Sequence, residues 1–141
     1  MNVSEVMTTD VRICRPEDSL ASCANMMREL NVGIAPVLDR DDNLVGVITD
    51  RDIAVRAVAR GVDPNSARVA EFMTPDPITV SFDADVEEAA DIMADAQVRR
   101  LPVVDDNGRL VGIVSLGDLA VDVGEEELLA ETLEEISVPT R

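Results

Sequence analysis

Residues 98–119 read VRRLPVVDDNGRLVGIVSLGDL, and residues 32–53 read VGIAPVLDRDDNLVGVITDRDI. Each stretch contains two apolar runs around a polar turn, and the second run ends in a Thr or Ser three places before an aspartate. Short runs rich in β-branched residues, joined by Asp, Asn and Gly, are typical of a β-hairpin. The two stretches therefore predict two hairpins of the same design.

The similarity extends well beyond the hairpins. A shift of 66 positions aligns Val3–Val55 with Val69–Val121 without a gap, and 17 of the 53 paired positions are identical. Self-similarity at a fixed period indicates a duplicated structural unit. The chain is therefore interpreted as two copies of one small module.

Each copy predicts the element order βαββα, because an apolar stretch and an amphipathic helix precede the hairpin and a second helix follows it. The first copy predicts a strand at Val11–Cys14, a helix capped by Asp18 or Ser19, strands at Ala35–Leu38 and Leu44–Thr49, and a helix at about Arg51–Arg60 that ends at Gly61. The second copy predicts a strand at Pro77–Val80, a helix capped by Asp85, strands at Leu101–Val104 and Leu110–Ser115, and a helix from Gly117 toward Val123.

The predicted fold class is α+β. A copy of about 50 residues buries too little apolar surface to be stable alone, so we expect the two copies to pack sheet to sheet with pseudo-twofold symmetry. The predicted domains are a first motif at residues 1–60, a linker at 61–68, a second motif at 69–123 and an acidic tail at 124–141. In the tail, apolar residues spaced as in an amphipathic helix predict docking on the module or on a second subunit: Leu128, Leu129, Leu133 and Ile136.

The composition argues against several functions. The net charge of −17 disfavours binding to nucleic acid and to anionic membranes. The sequence has no histidine and only two cysteines, so the usual ligands of transition metals and the usual catalytic base are lacking. No run approaches the length of a membrane span and no signal peptide is visible, so a cytoplasmic protein is expected.

The repeated pattern resembles the CBS domain, named after cystathionine β-synthase. The resemblance covers about residues 1–123 and rests on Met-Thr, an amphipathic helix, a Pro-Val strand, and Leu-Val-Gly followed by a Thr or Ser three places before an aspartate. It implies a pair of motifs whose clefts bind adenosine derivatives: AMP, ADP or ATP first, and NAD or S-adenosylmethionine in second place. It also implies a regulatory, non-catalytic role with no obligatory cofactor, and a homodimer of stacked pairs.

The first candidate binding residues are Thr49 with Asp52, and Ser115 with Asp118. Each pair lies where a strand turns into a helix, so its carboxylate can accept both hydroxyls of a ribose while the hydroxyl meets a phosphate. The same spacing also forms a capping box, which needs no ligand. The resemblance favours the ribose role, and the two roles are compatible.

Arg99 and Arg100 are the second candidates, since the family often places basic residues there to reach phosphates. The equivalent residues of the first copy, Gly33 and Ile34, carry no charge, so phosphate affinity is expected mainly at the second copy. The alternative is that the two arginines are solvated or pair with carboxylates.

An apolar slot for adenine is expected beside these groups. Its predicted lining residues are Val11, Arg12, Ile13, Pro36, Pro77, Ile78 and Pro102. Arg51, next to Asp52, could serve phosphate or pair with Asp50.

Two other functions compete with nucleotide sensing. One is a structural or interaction protein, a dimer of empty clefts that docks a protein partner. The other is an enzyme, which the sequence disfavours because its Asp and Ser residues lack a base, a metal cluster and an oxyanion motif.

Overall fold

The computed structural model describes residues 1–123, with side chains through residue 120. The predicted acidic tail at 124–141 lies outside the described residues. The chain divides into two compact units. We call residues 12–77 the first-repeat unit, and residues 1–11 together with 78–123 the second-repeat unit.

The first-repeat unit contains a three-stranded antiparallel sheet in the order β1-β2-β3. Its elements are α1 (Leu20–Leu30), β1 (Ile34–Leu38), β2 (Leu44–Thr49), a π-helical segment (Asp52–Ala57), a 3-10 turn (Val58–Arg60), α2 (Val69–Phe72) and β3 (Thr74–Pro75). The predicted hairpin strands are confirmed. The predicted helix at Arg51–Arg60 is helical throughout, but it is wound as π and 3-10 turns, and Gly61 ends it in the left-handed conformation (φ 73°).

The second-repeat unit contains a sheet in the order β4-β5-β6, in which β4 runs parallel to β5 and β6 antiparallel to it. Its elements are a 3-10 turn (Val3–Glu5), β4 (Val80–Ser81), α3 (Val86–Ala96), β5 (Arg100–Val104), β6 (Leu110–Ser115) and α4 (Leu116–Val123). Pro102 is tolerated in the central strand because β4 pairs only with Val103 and Val104, beyond the position where Pro lacks an N–H.

Each unit includes the first segment of the other repeat. Thr8 bridges to Ile113 on β6, and at the equivalent place Thr74 pairs with Val47 on β2. A glycine next to each contact permits the close approach, since a Cβ on Gly112 would lie 2.7 Å from the Thr8 carbonyl oxygen. Each compact unit therefore consists of the main part of one repeat and the first segment of the other repeat.

The two long helices cover their sheets with apolar faces. The buried residues of α1 are Leu20, Cys23 and Met27, and those of α3 are Val86, Ala89, Ala90, Met93 and Ala94. Ser19 caps α1 by accepting a hydrogen bond from the Ser22 N–H. Asp85 occupies the predicted cap position before α3. Its side chain makes no capping hydrogen bond, so the predicted capping contact is wrong.

The predicted first strand is short in both copies. In the first copy it is reduced to one parallel bridge between Cys14 and Val37, and in the second it becomes the two-residue strand β4. Both segments lie beside the hairpin, so the predicted element order is retained.

Candidate functional site

The carboxylate of Asp118 holds the turn between β6 and α4. Asp118 Oδ2 accepts a hydrogen bond from the Ser115 N–H at 2.9 Å, and Ser115 Oγ accepts one from the Asp118 N–H at 3.1 Å. This reciprocal pair is the capping box that the sequence allows. Asp118 Oδ1 has no hydrogen-bond partner among the residues whose side chains are described, so it is available to accept a hydrogen bond from a hydroxyl.

The first copy has the same arrangement. Asp52 Oδ2 accepts from the Thr49 N–H at 2.9 Å, and Thr49 Oγ1 accepts from the Asp52 N–H at 3.1 Å. The second oxygen differs, because Asp52 Oδ1 lies 3.9 Å from Nη1 of Arg56 one helical turn later. The two carboxylates are therefore alike as caps and unlike in charge environment.

Arg100 lies directly across the sheet from Ser115, as register partners on β5 and β6. Side chains of register partners extend from the same face of a sheet, with Cβ atoms about 5 Å apart. Arg99 adjoins this strand end, where its carbonyl oxygen accepts from the Leu116 N–H at 2.9 Å. Both arginines are exposed, and neither forms an ion pair with the side chains of residues 1–120.

At the equivalent end of the first copy, a carboxylate takes the place of the arginines. The Asp50 N–H donates to the Gly33 carbonyl oxygen, and a Cβ on Gly33 would lie 3.1 Å from Asp50 Oδ2. Asp50 is equivalent to Leu116 of the second copy. The sequence predicts Asp50 only as a partner for Arg51, although the alignment of the repeats contrasts it with leucine. The Arg51 backbone N–H does bond Asp50 Oδ1, and no ion pair joins the two side chains.

The predicted slot residues are divided between the units. Arg12, Ile13, Pro36 and Pro77 belong to the first-repeat unit, while Val11, Ile78 and Pro102 belong to the second-repeat unit. Pro36 and Pro102 are buried, whereas Ile78 is 54% exposed. Arg12 is also exposed. The slot itself stays a prediction.

A shallow groove of about 380 Å³ lies between α1 and the π-helical segment of the first-repeat unit. Its lining residues are Ala24, Met27, Arg28, Asn31, Val32, Asp50, Ile53, Ala54 and Val58. Val32 and Val58 are 42% and 60% exposed, so the groove has an apolar rim. This groove has no signature in the sequence, since exposed valines carry no pattern that separates them from core residues.

Within residues 1–123, no cluster of three or more His, Cys, Asp or Glu side chains could hold a metal ion. None of the helices described is long and apolar enough to cross a membrane.

The family model described as "CBS domain" matches the chain twice, at residues 3–58 and 69–125. The chain belongs to the CBS domain family. It carries two tandem CBS motifs, and its mixed α+β content with two small sheets agrees with the solved structures of CBS pairs. Both the recognition of the family and the fold class predicted from the sequence are confirmed.

Relatives of this CBS pair span most of its length. It is 40% identical over 136 residues to the uncharacterized protein YlbB of Bacillus subtilis, which covers 96% of this chain and 90% of YlbB. The CBS pair of protein MJ0100, solved with 5-methylthioadenosine and S-adenosyl-L-methionine, has a TM-score of 0.78 at 31% identity and covers 88% of this chain and 96% of that one. CBSX2 of Arabidopsis thaliana, solved with AMP, has a TM-score of 0.76 at 27% identity, covering 89% of this chain and 98% of that one.

Proposed function

We propose that this CBS pair is a non-catalytic regulatory module that binds an adenosine-type nucleotide of the AMP, ADP or ATP class. The main binding residues would be Asp118, Ser115, Arg99 and Arg100 of the second-repeat unit, with Thr49 and Asp52 in the weaker position of the first. Arg12, Ile13, Ile78 and Pro102 would contact the base. The ligands of MJ0100 and CBSX2 share an adenosine moiety, which supports this class.

One observation carries the proposal. Arg100 and Ser115 are register partners, and Asp118 is bonded to Ser115, so a cation, a hydroxyl and a carboxylate meet at one strand end. A nucleotide presents the complementary groups, because its ribose hydroxyls donate to a carboxylate and its phosphates accept from a guanidinium. The absence of ion pairs to Arg99 and Arg100 within the described side chains leaves both groups available for phosphate.

A regulatory role requires that the nucleotide favours one state of the protein over another. A ligand with equal affinity for two states shifts neither, so the sensing proposal needs a difference in affinity between two arrangements of the module or of its dimer. We place the protein in the cytoplasm, with neither nucleic acid nor membrane as a partner.

We further propose a homodimer that forms through the groove side of the first-repeat unit. Four exposed apolar side chains lie on the two elements that border the groove or within two residues of their ends: Leu30, Val32, Val55 and Val58. Burial of such side chains against a second copy would remove apolar surface from water. Size-exclusion chromatography coupled to light scattering should give a molar mass twice that of the chain, and the mass of a monomer would contradict the dimer.

A thermal-shift screen with AMP, ADP, ATP, NAD and S-adenosylmethionine tests the proposed ligand class. At a ligand concentration near 100 times the dissociation constant, binding stabilises the folded state by about 2.7 kcal/mol, which gives a clear rise in Tm. Adenosine serves as the control without phosphate and is expected to give a smaller rise than AMP. If none of these ligands shifts the Tm, the alternative of an interaction protein with empty clefts is favoured.

A further inference from the structure

Two thiols meet in the core of the first-repeat unit. Cys14 Sγ and Cys23 Sγ lie 3.1 Å apart, and each residue is only 2% exposed. Both thiols are free. The pair lies among apolar residues of the core and takes no part in the proposed nucleotide site.

The backbone on both sides of this contact is held in regular structure. The Cys14 N–H donates to the Pro36 carbonyl oxygen at 2.9 Å, and the Leu38 N–H donates to the Cys14 carbonyl oxygen at 3.0 Å. Cys23 lies within α1, where its N–H bonds the Ser19 carbonyl oxygen. Because a disulfide needs its sulfurs about 2 Å apart, the two sulfurs must approach by about 1 Å.

The second repeat shows that the fold does not require thiols here. Its equivalent residues are Val80 and Ala89, both buried. Packing alone is therefore satisfied by two apolar side chains, and the contact between sulfurs is a property of the first repeat. Copy two also supplies the substitutions that remove each thiol with the least disturbance.

We propose that Cys14 and Cys23 form a reversible intramolecular disulfide when the protein meets hydrogen peroxide. The Cys23 thiolate attacks one peroxide oxygen, the O–O bond breaks, and the released hydroxide takes up the thiol proton as water. Cys14 sulfur then attacks the sulfur of the Cys23 sulfenic acid, the S–O bond breaks, and the hydroxide leaves as a second water with the Cys14 proton. Two thiols thus lose two electrons and two hydrogens, and one peroxide becomes two waters.

The hydrogen bond between the sulfurs assigns the two roles. The Cys14 thiol donates to Cys23 Sγ, which lowers the pKa of Cys23 below the ordinary value of a thiol. The same hydrogen bond, together with burial, raises the pKa of Cys14. Cys23 is therefore the nucleophile and Cys14 the resolving thiol. Burial of both residues restricts the reaction to an oxidant about the size of water.

The product can be mapped in one peptide of the full-length chain. Trypsin cleaves after Arg12 and Arg28 but not between Arg15 and Pro16, so peptide 13–28 contains both cysteines. After peroxide treatment we expect this peptide to lose about 2 Da at its cysteines, and neither cysteine to take up iodoacetamide under denaturing conditions until a reductant is added. Fragment spectra separate this change from oxidation of Met26 and Met27. Free thiols, sulfinic acid or a disulfide between two chains would overturn the proposal.

The matched controls are Cys14→Val and Cys23→Ala. Each leaves a single thiol, and neither is expected to give the loss of about 2 Da. Urea unfolding supplies a second readout, in which the oxidised wild type unfolds at a higher urea concentration than the reduced wild type. In the variant that carries both substitutions, peroxide is expected to leave the midpoint unchanged in samples whose spectra show no oxidation of Met26 and Met27. An oxidised wild type that unfolds at a lower urea concentration would show that the fold does not hold the sulfurs in bonding position.

Discussion

Asp118 divides its two carboxylate oxygens between folding and the proposed ligand. Oδ2 accepts from the Ser115 N–H, while Oδ1 has no bonded partner among the described side chains. In the first copy Asp52 Oδ1 faces Arg56 at 3.9 Å, and Asp50 brings a further negative charge beside Gly33. The two strand ends therefore have the same hydrogen-bond scaffold with different charged neighbours.

The first prediction follows from this division. Asp118→Asn keeps an oxygen that can accept from Ser115 but removes the charge that strengthens hydrogen bonds from ribose, so AMP affinity should fall about tenfold or more. Arg100→Ala should weaken AMP binding comparably through the loss of its phosphate contact. Titration calorimetry measures both effects.

Asp52→Asn is the matched control for that series. It makes the same change in the same scaffold, at the copy in which Gly33 and Ile34 replace Arg99 and Arg100, and it should weaken AMP binding less than either second-copy variant. Equal losses from Asp52→Asn and Asp118→Asn would mean that both copies bind the nucleotide alike. The Tm of each variant without nucleotide must be compared first, since a lost cap contact itself costs about 1 kcal/mol.

A second prediction at this scale concerns Gly112, on strand β6 of the second hairpin. In Gly112→Ala the new Cβ would lie 2.7 Å from the Thr8 carbonyl oxygen and 2.8 Å from Met7 Sδ. One of these groups must move, so the free energy of unfolding should fall by about 1–3 kcal/mol. Gly117→Ala is the control, because its nearest neighbour is Ser115 Oγ at 3.7 Å and alanine favours a helix. Urea midpoints compare the two variants, and an unperturbed Gly112→Ala protein would contradict the close contact.

At the scale of elements, the segment before Thr8 belongs to the core of the second-repeat unit. Val3 is fully buried and packs in the core of the second-repeat unit, and its N–H bonds the Ala84 carbonyl oxygen at 2.8 Å. Val3→Ala should lower the stability of that unit by about 2 kcal/mol, because it leaves a small cavity in a packed core.

Hydrogen exchange can locate this effect. Exchange should accelerate in β5 and β6, at residues 100–104 and 110–115, more than in β2 at residues 44–49. Val69→Ala is the mirror control, since Val69 is fully buried in the core of the first-repeat unit and should produce the opposite pattern. If Val3→Ala instead accelerated hydrogen exchange most in β2, the placement of residues 1–11 in the second-repeat unit would be refuted.

The sequence predicted the local elements better than their assembly. Hairpins and helix faces follow from period, turn residues and caps, so β2, β6 and the buried residues of α1 could be read directly. The partner of Thr8 could not, because a two-residue contact has no period and pairs with β6 across about 100 positions. The contact of Asp50 has no sequence signature for a similar reason, because Gly33, 17 positions earlier, lies beside it only after the hairpin forms.

At the scale of the whole molecule, net charge and local charge oppose each other. A net charge of −17 repels a nucleotide phosphate from every direction, whereas Arg99 and Arg100 attract it at one strand end. Salt screens both effects, with a Debye length of about 10 Å at 0.1 M. Salt should also raise the free energy of unfolding, because self-repulsion of the acidic surface is weakened.

The salt dependence of ATP binding separates these two contributions. In Arg100→Ala one of the two attracting charges is lost, while Arg99 and the long-range repulsion remain, so added salt should weaken ATP binding less than in the wild type. The wild-type slope of log affinity against log salt should be more negative by about 1. Adenosine, which carries no phosphate charge, should show a slope near zero in both proteins. Identical ATP slopes in the two proteins would mean that Arg100 does not contact phosphate, and the charge pattern at this strand end would then need another ligand.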